Sequence, residues 1–400
     1  MSKGPFLGYI FLASIPISFM RFGGHLIIPF ELIIYEVILI LLAFNYLIAI
    51  VLQTKRIYIN LFDSVIIAFV FFSLISVIIS SDELYIATRD YRHSFFAPLI
   101  AYLLFQNCFE DVEQLRTSFL YLLLATFIVS IFAFPGEIMI GARLASTRFD
   151  NVTLGVLSSW AIAILITQRN RSYKKLYKFV IYSGVMYFFF LMVFTGSRSA
   201  VIGIGISILV SFFIFKNKIY QKIFLILIIS TTISFYMLMF FIDDSSLKQN
   251  MFKNDKYREV DHTITRIVSI EHYKIALEER LHLWKKAFDV GLEKPILGSG
   301  ASLRRQMGRS TPHNIFISIF LTSGILGTSL FIFLIYLAYS TLFSLSATGQ
   351  SFEFLRFTFV SFTILLFVGV TNDFSGGRYI LFFIILSGTS LAKKLILRNS

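Results

Sequence analysis

What most constrains this chain is the recurrence of apolar runs of fourteen to twenty-seven residues, such as Leu26–Leu52 and Leu61–Ser80. Lipid offers no partner to a free backbone N–H or C=O, so such runs are expected to fold as helices that satisfy their own backbone. Twelve can be marked: Phe6–Met20, Leu26–Leu52, Leu61–Ser80, Ser94–Cys108, Thr117–Phe134, Val152–Thr167, Tyr177–Phe194, Ser199–Phe215, Ile223–Ile242, Asn314–Tyr339, Leu355–Val370 and Tyr379–Ala392. The first, fourth and last are short, which leaves ten or eleven as the alternative count. With 56% apolar and 15% charged residues, a soluble enzyme is excluded. The 47 Phe and 19 Tyr exclude disorder. The expected fold is therefore all-α, a polytopic membrane helix bundle. Residues 1–242 hold spans one to nine, 243–313 form an outer subdomain, and 314–400 hold the last three spans. Arg21 follows the first run without a small-residue cleavage site, so that run reads as a retained helix rather than a signal peptide.

Basic residues in short loops set the orientation, because Lys and Arg near helix ends are held on the cytoplasmic side. With both termini inside, the inner loops carry sixteen: Lys3, Lys55, Arg56, Arg116, Arg169, Arg171, Lys174, Lys175, Lys178, Lys216, Lys218, Lys222, Arg356, Lys393, Lys394 and Arg398. The short outer loops carry seven: Arg21, Arg89, Arg92, Arg143, Arg148, Arg198 and Arg378. The formal charge of +13 thus reads as topology rather than as a nucleic-acid footprint. Ten of the inner sixteen are lysine, whereas all seven outer residues are arginine. A planar guanidinium fork matches phosphate oxygens in pairs, which suits a partly dehydrated anion site. The plainer reading is that arginine snorkels well at interfaces.

Three outer segments carry chemistry. The turn Thr195-Gly196-Ser197-Arg198-Ser199-Ala200 joins two long apolar runs, with Ser197 or Ser199 as N-cap of the second helix. Arg198 then lies at the positive end of a helix dipole, where free N–H groups add to its charge; a bare topological stop is the rival reading. Further on, Ile267, Ile270, Tyr273, Leu277, Leu281, Trp284 and Phe288 recur at steps of three and four, the stripe of an amphipathic helix ended by Gly291 and Pro295. Arg280 borders that stripe, and Trp284 reads as an interface anchor at headgroup depth. After Pro295-Ile296-Leu297-Gly298-Ser299-Gly300, whose glycines imply a close backbone approach, Thr311-Pro312-His313-Asn314 opens the tenth run. Thr311 fits the N-cap and Pro312 the first helical position, with His313 and Asn314 in the first turn. A histidine there can accept a proton near neutral pH, and Asn314 can fix its tautomer or meet a sugar hydroxyl. A purely structural histidine is the alternative.

The last outer loop, Thr371 to Arg378, pairs Asp373 and Arg378 among glycines, as ligand groups or as mutual neutralisers. Glu31, Glu36 and Asp63 are costly facing lipid, so they are expected to point inward or to sit at an interface, in structural roles. Cys108 is the one cysteine, which permits no internal disulfide and no Cys-rich metal site.

At these residues the chain resembles the bacterial O-antigen polymerase and ligase superfamily, membrane glycosyltransferases that act on polyprenyl-diphosphate-linked sugars. The resemblance rests on Ser197-Arg198, on Arg280 with Trp284 and Ala287, on Pro295 through Gly300, on His313-Asn314, and on Gly324 and Gly327. It spans about Thr195 to Gly327. Arg143 through Asn151 resembles a weaker family segment, with Val152 and Thr153 where a second asparagine is usual. Ser323 stands where the family often has glutamate.

The resemblance implies transfer of an oligosaccharide from a polyprenyl-diphosphate carrier to an acceptor sugar hydroxyl. Arg198 and Arg280 would clamp the diphosphate and His313 would act as general base. Asn314, Arg143, Arg378 and Asp373 would line the substrate site. No metal or other cofactor is expected. Partners would be the lipid-linked donor, the glycan acceptor and the bilayer, with a flippase or chain-length regulator as further contacts and no nucleic acid. The expected location is the bacterial inner membrane, active face outward. Polymerisation of O-antigen or capsule repeats is favoured; a ligase delivering finished glycan to lipid A-core is the nearest alternative. A transporter of lipid-linked glycans is the alternative of another class, against which stands the lack of paired interrupted spans in matching halves.

Overall fold

The computed structural model describes residues 4–18, 34–52, 60–81, 84–133, 151–168, 175–194, 197–215, 270–300, 312–347, 352–371 and 378–399, and among them every regular element is helical. In chain order these are α1 (Gly4–Ser18), α2 (Ile34–Val51), α3 (Leu61–Ser80), α4 (Leu84–Tyr91), a π-helical turn (Arg92–Phe96), α5 (Ala97–Phe105), α6 (Val112–Ala133), α7 (Asn151–Gln168), α8 (Lys175–Phe194), α9 (Arg198–Phe215), α10 (Ile270–Glu293), α11 (Ile315–Ala347), α12 (Phe352–Thr371) and α13 (Arg378–Asn399). Eleven of the twelve apolar runs fall on helices; the ninth, Ile223–Ile242, lies outside the described residues. By length and composition, four helices are long and apolar enough to cross a membrane: α2, α3, Val112–Ile131 of α6 and Ile315–Leu345 of α11. The runs are rich in Ile and Val, which in water favour strands. In lipid an open sheet edge would go unpaired, and the helix wins.

Register between neighbours fixes which helix ends lie together. α3 runs antiparallel to the α4–α5 segment, with the Tyr91 hydroxyl donating to the Val70 carbonyl at 3.0 Å and the Phe62 and Tyr102 rings 6.4 Å apart. It is also antiparallel to α11, through Phe69 against Phe331 at 5.8 Å and Ser73 Oγ 3.0 Å from Ser323 Oγ. α12 returns antiparallel to α11, pairing Tyr339 with Thr363 and Phe343 with Phe359. Gly203, near the start of α9, packs under Phe367, near the end of α12, and Gly155, near the start of α7, packs under Ser197. Consequently Ser80, Asn151, Ser197, Ile315, Thr371 and Arg378 mark one end of the bundle. The core between the ends is an aromatic chain in which Phe95, Phe69, Phe331, Phe382 and Phe362 join α3, α11, α12 and α13.

A polar knot closes the opposite end. Asn60 Oδ1 accepts from the Asp63 N–H at 3.0 Å while Asp63 Oδ2 accepts from the Asn60 N–H at 2.9 Å, a reciprocal N-cap for α3. The same carboxylate accepts from the Tyr102 hydroxyl at 2.5 Å and from Gln106 Nε2 at 2.9 Å, and Asn60 Nδ2 donates to Ser390 Oγ at 3.1 Å. Three donors, the Asn60 N–H, the Tyr102 hydroxyl and Gln106 Nε2, thus meet a buried carboxylate that would otherwise be expensive in a span. Asp63 has the inward, structural placement the sequence suggested.

One feature departs from the sequence reading. α11 is interrupted, with Gly324 at φ 62°, ψ −161°, and the freed backbone groups are met by the segment from Pro295 to Gly300. Ser299 N–H donates to the Leu321 carbonyl at 2.7 Å, Gly300 N–H to that of Thr322 at 3.1 Å, and Ile325 N–H to that of Pro295 at 2.9 Å. Gly298 (φ 73°) and Gly300 (φ 78°) supply the left-handed backbone this strap requires. From α3, Ser76 Oγ donates to the Thr322 carbonyl as well. Irregular backbone at membrane depth survives where protein replaces the missing partners, and here the strap and α3 do so.

Candidate functional site

The Ser80 end of the bundle gathers the outer segments singled out by the sequence. α10 runs beside the first turns of α11: Leu283, Ala287 and Val290 pack on Ile317 and Leu321, and Phe288 stacks on Phe320 at 5.2 Å. A Cβ on Gly291 would lie 2.6 Å from the Phe320 ring. Ala287 and Gly291 are therefore the small residues that let the two helices close. This corrects two expectations. Gly291 does not end the helix, which continues to Glu293 and stops before Pro295. Nor is Leu281, exposed at 51%, on the packed face; that face is carried by Leu283, Ala287 and Val290, while Phe288 touches α11 only at its edge and stays 49% exposed.

Trp284 has a specific partner that its expected place at an interface did not announce. Its indole Nε1–H donates to the Pro312 carbonyl at 2.6 Å, so it is pinned to the entrance of α11. Arg280, half-buried, precedes it by four residues on the same helix face, about 6 Å along the axis.

His313 follows Pro312 directly, half-buried and with φ 49°, the positive-φ non-glycine residue among those described. Such a conformation costs an ordinary residue about 1–3 kcal/mol and persists only where the surroundings over-determine it. The helix N-cap is Asn314, not Thr311 as expected. Its Oδ1 accepts from the N–H groups of Phe316 at 3.0 Å and Ile317 at 3.3 Å, and its carbonyl accepts from Ser318 at 2.9 Å. Asparagine outranks threonine as a cap. With Pro312's carbonyl engaged by Trp284, the helix starts at Ile315, three residues later than Pro312 at its first position would require. Thr311 itself lies outside the described residues.

Arg198 is the first residue of α9, as the cap reading required: the Ser197 carbonyl accepts from Ala200 at 3.1 Å and Val201 at 3.2 Å. The position lies at the Ser80 end, and the side chain lies outside the described residues. Arg378 opens α13 at the same end, again by its backbone. Arg143 and Asp373 fall outside the described residues. The structure thus brings Arg280 and His313 into one assembly through Trp284 and sets the Arg198 and Arg378 backbone positions on the same end of the bundle.

A second charged group, not foreseen, joins α2 to the π-helical turn, which lies beside the middle of α3. Glu36, in the first turn of α2, is buried, and its Oε1 lies 3.0 Å from His93 Nδ1 and 3.8 Å from Arg92 Nε. Arg92 Nη2 donates to His93 Nε2 at 3.0 Å when that nitrogen carries no proton. Arg92 and His93 both belong to the π-helical turn, whose extra residue per turn presents consecutive side chains toward α2. The inward placement expected of Glu36 holds, but its partners, some 57 positions away, left no mark in local spacing. Among the described residues no group of three or more His, Cys, Asp or Glu is placed to hold a metal ion.

Residues 183–332 match the family model described as O-antigen ligase. The match supports the O-antigen ligase and polymerase superfamily for the stretch that runs from within α8 past the break in α11, and it includes Arg198, Arg280, His313 and Asn314. Arg143, Asp373 and Arg378 lie outside it. No match to a curated protein was found.

Proposed function

We infer, from the O-antigen ligase match over residues 183–332, that this chain moves an oligosaccharide from a polyprenyl-diphosphate carrier to a sugar hydroxyl. The observation that carries the reading is the Trp284–Pro312 hydrogen bond, which ties the arginine helix to the residue before His313. In the proposed reaction the acceptor hydroxyl attacks the anomeric carbon, and its proton passes to His313. The bond from that carbon to the diphosphate oxygen breaks, and the carrier leaves as the diphosphate. Arg198 and Arg280 hold the oxygens on which negative charge grows, where fixed cations act most strongly on the leaving group. Arg143, Arg378, Asp373 and Asn314 line the glycan path in this reading. The bundle has about twelve spans in the bacterial inner membrane, both termini cytoplasmic, with the Ser80 end outward. A flippase or chain-length regulator are its further partners.

Polymerisation of O-antigen or capsule repeats is the favoured form of the reaction. The glycans of a strain deleted for this chain test it. Loss of repeat-unit ladders, with single repeats left on the carrier, is expected; finished polymer accumulating on the carrier points instead to a ligase. A transporter of lipid-linked glycans would leave the carrier-linked material unpolymerised on the inner leaflet.

A further inference from the structure

We propose that Trp284 is a positioning residue that sets the imidazole of His313 against Arg280; the proposal rests on the reading of His313 as the base. φ of His313 is the rotation between the Pro312–His313 peptide plane and the rest of His313, so whatever holds that plane holds the side chain's bearing. Two clamps act on it. On the far side, Asn314 is locked by its own cap, with Phe316 and Ile317 donating to its Oδ1. On the near side, Pro312 is buried, its ring limits its own backbone, and its carbonyl oxygen is the atom that receives the Trp284 indole N–H at 2.6 Å. The hydrogen bond therefore grips the very plane whose rotation defines the left-handed conformation of His313, at φ 49°.

The indole is itself firmly placed. Ala287 is fully buried against Leu321, Phe288 stacks on Phe320, and Gly291 fits beneath the same ring. About three turns below Trp284 the strap from Pro295 to Gly300 is bonded into the break of α11. α10 is thus fastened to α11 along its last three turns, and Trp284 is the outermost of these contacts. Arg280 stands one turn beyond it, about 6 Å along the axis. Trp284 is then the link through which the guanidinium that meets the diphosphate and the imidazole that takes the proton share one frame. Without the indole donor, the Pro312 plane is free to turn, and His313 relaxes to negative φ, which swings the imidazole away while Arg280 stays where it is. Displacement of a reacting group by about 1 Å can lower a rate by about a hundredfold.

Trp284→Phe removes the donor and keeps an aromatic ring on the packed helix. The test uses the full chain in proteoliposomes, with the lipid-linked glycan that accumulates in the deletion strain as donor. Turnover is expected to fall about 10- to 100-fold with the donor KM within about twofold of the parent and an unchanged thermal midpoint; a merely structural role would lower the midpoint and the active fraction but leave turnover per folded molecule intact. Trp284→His, which restores an N–H donor, is expected to recover part of the turnover. Parent turnover in Trp284→Phe, in a preparation where His313→Gly is inactive, overturns the positioning role alone. Full activity of His313→Gly overturns the reading beneath it.

Discussion

Replacement of His313 by glycine is expected to lower glycan transfer by about a hundredfold or more while leaving the folded protein at least as stable as the parent. Glycine is the informative substitution because His313 holds φ 49°. Alanine would lose the imidazole and keep the strained backbone, whereas glycine loses the imidazole and removes the strain. Relief of backbone strain of about 1–3 kcal/mol, set against about 0.5–1 kcal/mol for glycine's greater chain entropy, leaves the variant no less stable than the parent. Loss of a positioned general base costs about 10²–10⁴ in rate. Rate and stability are thus expected to move in opposite directions, which a folding defect cannot produce. Arg280→Ala and Arg198→Ala are expected to abolish transfer in the same assay with membrane expression intact. Transfer rates in membranes matched for protein amount, together with thermal midpoints in detergent, check all three.

The largest structural effect is expected at Gly298. A Cβ there would stand 2.5 Å from the Gly324 nitrogen and 2.6 Å from that of Ser323, both backbone atoms, at φ 73° where an L side chain is already strained. The strap would have to leave the break in α11, taking with it the bonds to the Leu321 and Thr322 carbonyls. Left-handed strain of about 1–2 kcal/mol and about 0.5–1.5 kcal/mol for each lost bond together reach a few kcal/mol, a large share of a typical total stability of about 5–15 kcal/mol. Gly298→Ala is expected to abolish the monodisperse, folded fraction after detergent extraction, and Gly324→Ala to do the same through Ile296. Gly205, whose Cβ would meet nothing within 4 Å, provides the control: Gly205→Ala is expected to be neutral or slightly stabilising. Equal yields for Gly298→Ala and Gly205→Ala would contradict the strap's role.

The helices were legible in the sequence because lipid leaves apolar runs no other fold, and eleven of the runs coincide with helices. The glycines of Pro295 to Gly300 were legible as a close approach, since φ above zero has few other uses. What they approach was not, because the break at Gly324 is an event between two segments more than twenty residues apart. The packed face of α10 was misplaced for a similar reason: hydrophobic periodicity counts Leu281 and Phe288, whereas close packing uses Ala287 and Gly291, which carry little hydrophobic signal. Thr311 and Asn314 are both good caps by composition, and a tertiary contact, the Trp284 indole on Pro312, goes with the choice of Asn314. Glu36 could be read as inward-facing from its position in a span, but its meeting with His93 and Arg92 depends on a π-helical turn that no residue pattern announces.

The most direct test of the account is product analysis from the purified chain reconstituted in liposomes with its lipid-linked glycan as the sole added substrate. Appearance of a longer carrier-linked glycan together with one equivalent of free polyprenyl diphosphate per new glycosidic bond, both lost in His313→Gly, is the predicted result. Movement of the intact donor across the bilayer with no new bond, or product formed equally by His313→Gly, would contradict it.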